Sequence, residues 1–77
     1  MNLYLTRGEY HKPDSRYVSH YCGLPVRATS EQDAIERTNL ALAPYDGYAI
    51  AARPTGRMPI LDLADEFART LAARLTA

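Results

Sequence analysis

His20 and Cys22 stand two apart in a segment of alternating character, and His11 lies upstream, so three borderline or soft metal ligands fall close together in the chain. A structural zinc site takes four such ligands, commonly in paired short spacings, and this chain holds one cysteine and two histidines. The same pair reads as a thiol beside a base. Residues two apart on a strand share a face with Cβ atoms roughly 6–7 Å apart, but nucleophilic catalysis also needs a group to orient the base and donors for an oxyanion. No further motif supplies them. Asp62, Asp65 and Glu66 have a helical spacing that places them on a solvated face, where they serve helix capping and solubility. The residues therefore predict no enzyme, no metal and no cofactor. His20 and Cys22 are expected on an inward strand face, as a partly buried polar residue and a small hydrophobe.

Recognition chemistry is better supplied. The chain has six tyrosines, one phenylalanine and no tryptophan, and eight of its nine basic residues are arginine. Tyr offers a stiff contact surface with a polar tip, Arg offers a planar fork of donors that also stacks, and both are enriched at interface hot spots. Nine basic and nine acidic residues cancel, which argues against a carboxylate-covered DNA mimic and against a basic nucleic-acid coat.

These side chains must be positioned by few elements, because 77 residues fit one domain, residues 1–77, of the smallest self-sufficient kind. Twelve of the apolar residues are alanine, which leaves a modest core that a dimer or host complex would complete. Leu3 and Leu5 alternate with Asn2, Tyr4 and Thr6, which predicts a first strand with the leucines inward and Tyr4 outward. Gly8 and the run His11–Ser15 break that strand and reverse the chain into an antiparallel hairpin. From Tyr17 to Ala28 the even positions are mostly apolar and the odd ones carry Tyr17, Tyr21 and Arg27, with a bend or a division into two strands at Gly23.

Thr29-Ser30-Glu31-Gln32-Asp33 predicts a capped helix from Glu31, with Ala34, Ile35, Thr38, Ala41 and Leu42 on one side and Pro44 ending it near Leu42 or Ala43. Pro44–Gly47 reads as a turn and Tyr48–Arg53 as a short strand with Tyr48, Ile50 and Ala52 on its inward face. Pro59–Ala77 reads as a second helix, in which Leu61, Ala64, Ala68, Leu71 and Leu75 have coiled-coil spacing over two heptads. That stripe is expected to pack on the domain's own sheet, with a homodimer through the C-terminal helix as the rival. The predicted fold is α+β in the order β-β-(β)-α-β-α: an antiparallel sheet of three to four strands packed by two helices. Leu3, Leu5, Val18, Val26, Ile35, Leu42, Ile50, Phe67 and Leu71 are the expected core.

By this parity Tyr4, Tyr17 and Tyr21 share the outer sheet face, and Arg7, Arg16, Arg27 and Arg53 rim it. Such a surface fits a protein partner. Its rival is a tyrosine platform on which the bases of a single-stranded nucleic acid stack. A lone cysteine and the lack of a long apolar run are consistent with a cytoplasmic protein that has no membrane segment.

With its tyrosine-containing hairpin, the strand leading through VRATSEQDAIERT into a capped helix, and the strand YAIAAR, the chain resembles in size and layout some anti-CRISPR proteins of phages and mobile elements. The resemblance covers most of the chain and is architectural, and no functional residue is carried over. It implies a non-enzymatic inhibitor in the cytoplasm of a bacterial host, one that occupies a CRISPR effector complex where nucleic acid should bind.

Overall fold

A computed structural model describes residues 1–13, 15–59 and 66–77. Strands β1 (Asn2–His11) and β2 (Val18–Ala28) are followed by helix α1 (Glu31–Leu42), a 3-10 turn (Ala43–Tyr45), strand β3 (Tyr48–Pro54) and helix α2 (Glu66–Leu75). The sheet order is β2-β1-β3, and both pairings are antiparallel. The protein is a small α+β fold, with three strands and two helices among the described residues.

Helix α1 forms where its local chemistry directs. The Ser30 hydroxyl accepts from the Asp33 amide at 3.0 Å, which satisfies one of the free donors of the first turn. The Asp33 carboxylate in turn accepts from the Thr29 amide (2.9 Å), the Thr29 hydroxyl (3.1 Å) and Arg37 Nε (2.9 Å). Those contacts, led by the Thr29 amide, hold the Asp33 carboxyl below its ordinary range. The helix buries Ala34, Thr38 and Leu42. At its far end the chain leaves through Asp46 in a left-handed conformation (φ 51°), and the Gly47 amide donates back to the Leu42 carbonyl at 3.0 Å.

Both helices pack on one face of the sheet. That face carries Tyr4, Thr6 and Tyr10 of β1, Leu24, Val26 and Ala28 of β2, and Ala49 of β3, all buried. Tyr10, Leu24, Leu42, Leu71 and Ala72 form one core cluster, and Tyr4, Val26, Ala28 and Ala34 form the other. Phe67 of α2 stacks on Tyr10 with ring centroids 5.4 Å apart and meets the edge of Tyr45 at 4.7 Å.

The phase of the sheet is therefore opposite to the one that Leu3 and Leu5 suggested. Tyr4 is inward and 7% exposed, whereas Leu3 and Leu5 are half-buried on the other side. Val26, Leu42 and Leu71 lie in the core as expected, and Ile35 and Phe67 are half-buried, but Val18 and Ile50 are exposed. The physical reason is space. Gly8 does not end β1 but continues it on the inner face, where its missing side chain lets the Tyr21 ring cross toward β3. Tyr21 packs against Tyr10 (5.8 Å) and its hydroxyl donates to the Tyr48 carbonyl at 3.3 Å. Choosing the tyrosine face for burial covers more apolar area than the leucine face would.

Two bulges complete the change. Between β1 and β2 the register passes from Thr6↔Leu24 to Arg7↔Cys22, which leaves Gly23 unpaired with φ 76°. Between β1 and β3 it passes from Arg7↔Ala51 to Gly8↔Ala49, which leaves Ile50 unpaired. The single parity assigned to residues 18–28 fails at Gly23: beyond it Leu24, Val26 and Ala28 are inward, and before it Ser19 and Tyr21 take that face. On β3 the Asn39 side chain of α1 accepts from the Ala49 amide at 2.7 Å, on the side of the strand away from β1.

Of the C-terminal helix expected over Pro59–Ala77, Glu66–Leu75 is helical, and residues 60–65 lie outside the described residues. Pro59 is not helical, and Leu61 and Ala64 of the heptad pattern lie outside the described residues. Leu71 is buried in the domain's own core and Leu75 packs against both clusters.

Candidate functional site

The outer sheet face divides into two halves. At one end Pro25 is fully buried and Leu3 and Leu5 are half-buried. Toward the other end Arg7, Val18, His20, Cys22 and Tyr48 are exposed, and Arg53, opposite Leu5, is exposed where the two halves meet. This open half is the largest concentration of recognition chemistry among the described residues.

Its middle is a shallow pocket of about 110 Å³, bounded by Leu5, Arg7, Cys22, Gly23, Ala51 and Arg53. The Gly23 bulge sets one wall and the alanines of β3 give a low floor. Arg7 sits on the central strand with Cys22 and Ala51 as register partners, and Arg53 pairs with Leu5 one step along. Two guanidiniums thus rise beside a small apolar depression.

Above the pocket, Glu9 is opposite both His20 of β2 and Tyr48 of β3, so one row crosses the sheet. The Tyr48 hydroxyl donates to Glu9 Oε2 at 2.9 Å, and Glu9 Oε1 lies 3.5 Å from His20 Nδ1. Hydrogen bonding to the carboxylate raises the Tyr48 phenol above its ordinary value, because ionising it would remove the donated proton and set two negative charges together. The row is a central carboxylate flanked by a phenol that donates to it and an imidazole, with an aromatic ring at its end.

The residues singled out in the sequence separate on this framework. Arg7 and Arg53 flank the pocket. Arg16 and Tyr17 are exposed in the β1–β2 connection, Tyr17 to 75%, and lead directly into Val18 at the same end of the open half. Tyr4 and Tyr21 do not join them. Tyr4 is in the core, and Tyr21 lies on the inner face, where burial pushes its phenol up to about 12. The shared exposed face of Tyr4, Tyr17 and Tyr21 is therefore not formed, because the buried phase of β1 and the Gly23 bulge turn two of the three inward. Arg27 belongs to another part of the surface, since its Nε donates to the Thr76 carbonyl beyond α2 at 3.1 Å.

His20 and Cys22 also depart from expectation: they lie on the outer face and are exposed. His20 faces Glu9, and Cys22 makes no hydrogen bond to it among the described residues. Among those residues no group of three His, Cys, Asp or Glu side chains is placed to hold a metal ion, and no helix is long and apolar enough to cross a membrane. Tyr48 is the site residue that sequence parity missed. The β3 bulge at Ile50 reverses the count there, and nothing in the local sequence marks that bulge.

The fold and this surface define a small α+β protein with a partly open sheet face. No family model matches the chain, and no curated protein or solved structure is significantly similar to it.

Proposed function

We propose that this chain is a non-enzymatic protein-binding module whose contact surface is the open half of the outer sheet face. The observation that carries the reading is the pocket between Arg7 and Arg53, with exposed Tyr48 in the next row of the same face, beside Glu9, and Tyr17 and Val18 exposed farther along at the start of β2. An aromatic and arginine surround about a small depression is what interface hot spots use: an anchor side chain enters the depression and the guanidiniums fix its polar end. Two guanidiniums select a partner that offers a carboxylate there.

The nucleic-acid alternative loses its main support, because Tyr4 and Tyr21 are unavailable as a stacking platform. The architectural resemblance to anti-CRISPR proteins names the first partner to try, a CRISPR effector complex whose nucleic-acid channel the protein occupies sterically.

Two experiments test the reading. Capture from a bacterial lysate is run with the wild type and with the Arg7→Glu/Arg53→Glu variant, circular dichroism confirming that the variant folds. A partner retained by the wild type and lost by the variant is expected, and equal retention would remove this face from the proposal. Separately, the protein is added to a guide-loaded effector complex and target binding is followed by gel shift. Inhibition supports the named partner, and unchanged binding eliminates it while leaving the face to be judged by capture.

A further inference from the structure

A second site, away from the sheet face and independent of the reading above, lies where α1, the end of α2 and the β2 edge meet. A groove of about 260 Å³ is bounded there by Arg27, Arg37, Leu40, Ala41, Arg74 and Leu75. The chain as a whole is neutral, yet three of its eight arginines converge on this groove. Asp33 is the carboxylate that touches one of them, through Arg37 Nε at 2.9 Å. Arg27 is held by the Thr76 carbonyl, and Arg74 makes no hydrogen bond or ion pair among the described residues. Two guanidiniums are thus fixed in place and the third is available.

Between them stands Leu40, at 79% the most exposed large apolar side chain among the described residues. Its position on α1 is not required by the core, which takes Ala34, Thr38 and Leu42 instead. Ala41 and Leu75 give the groove an aliphatic floor that continues from Leu40. We infer that this groove binds an acidic segment of a protein partner, with carboxylates meeting Arg27, Arg37 and Arg74 and one aliphatic side chain seated against Leu40, Ala41 and Leu75. Charge complementarity selects the acidic segment. The floor argues against a nucleic-acid strand, because among the described residues no aromatic ring borders the groove for a base to stack on.

The test is a titration of the isotopically labelled protein, followed by amide chemical shifts. The probes are the blocked peptide Glu-Leu-Asp-Glu, its neutral counterpart Gln-Leu-Asn-Gln, and an oligothymidylate. The acidic peptide should give saturable shifts confined to the amides of Arg37–Ala41 and Arg74–Thr76, weakening as salt is raised. Arg74→Gln should reduce its affinity about tenfold, the loss of one charge-assisted pair. Leu40→Ser should also weaken it. Both changes are at exposed positions, so their spectra will report an intact fold. Equal binding of the neutral peptide, no shifts at millimolar peptide, or an Arg74→Gln affinity equal to wild type would each overturn the inference. Tighter binding of the oligonucleotide at the same amides would overturn it in favour of phosphate recognition.

Discussion

Replacing Gly8 by alanine tests the arrangement on which the sheet faces depend. A Cβ built at Gly8 would fall on the Tyr48 carbonyl oxygen, 2.9 Å from the Tyr21 hydroxyl and 3.0 Å from Ala49 Cα. Two of those three neighbours are backbone atoms of β3, so relief requires β1 and β3 to separate or the Tyr21 ring to leave. Overpacking of this kind costs about 1–3 kcal/mol, and losing the Tyr21–Tyr48 hydrogen bond adds about 1 kcal/mol. The reduced freedom of the unfolded chain returns roughly 0.4–1 kcal/mol. The expected net loss is about 2–3 kcal/mol, which in a domain of this size lowers Tm by roughly 10–20 °C.

The same substitution at two other glycines provides the scale. Gly56 has nothing within 4 Å of its added Cβ, so Gly56→Ala should change stability by less than about 0.5 kcal/mol. Gly23 also has open space but a φ of 76°, so Gly23→Ala should cost about 1–2 kcal/mol from backbone strain alone. Urea unfolding followed by circular dichroism measures all three. An order of Gly8, then Gly23, then Gly56 is expected. A Gly8→Ala protein as stable as Gly56→Ala would refute the close crossing of Tyr21 over β1, and with it the assignment of the inner face.

Two further predictions concern the interior. Tyr21 is raised from 10.0 to about 12, chiefly by burial, so the folded state keeps its proton after the unfolded state has begun to release one. Its contribution is complete below pH 10 and falls away between pH 10 and 12. Partial exposure limits the loss to about 1 kcal/mol. Tyrosinate absorbance should show an ionisation well above pH 10 that Tyr21→Phe removes, and the same substitution should flatten the alkaline stability curve. Simultaneous ionisation of all six near pH 10 would contradict the packing. Thr38 buries its hydroxyl on α1 without a hydrogen-bond partner among the described residues, so Thr38→Val should raise stability by about 1 kcal/mol in the same urea assay. A lower midpoint would show that the hydroxyl is satisfied after all.

Helix α1 was readable because its determinants are local: the Ser30 cap, the acidic first turn and Pro44 all act within a few residues. The sheet was readable in its antiparallel hairpin and in a count of three to four strands, but not in its order or its phase. Leu3 and Tyr4 both favour burial, and the choice between them is made by groups far along the chain: Phe67 stacking on Tyr10, and Tyr21 crossing Gly8. A mid-strand glycine looks the same in sequence whether it ends a strand or admits a ring. The bulges at Gly23 and Ile50 then reverse the count partway along two strands, and only Gly23 gives any local sign. The exposure of Arg16, Tyr17 and Arg53 could be read because loops and strand ends survive an error of phase; Arg7, in the middle of β1, is exposed because the phase is the reverse of the one expected. The burial of Tyr4 and Tyr21 could not be read. The convergence of Arg27, Arg37 and Arg74 joins three elements and had no counterpart in any one segment.

The Asn39 amide that takes up the Ala49 N–H has a consequence for how the protein meets other molecules. A three-stranded sheet has two flanking strands, each able to recruit a further strand from a neighbour and so to seed filaments. On β3, Asn39 occupies one of the donors such a recruit would need, and Pro54 ends the strand. On β2, Pro25 removes a donor outright and the Gly23 bulge bends the line of the rest. Both flanks are thus poor templates for a further strand, which leaves side chains rather than backbone to decide what this protein joins.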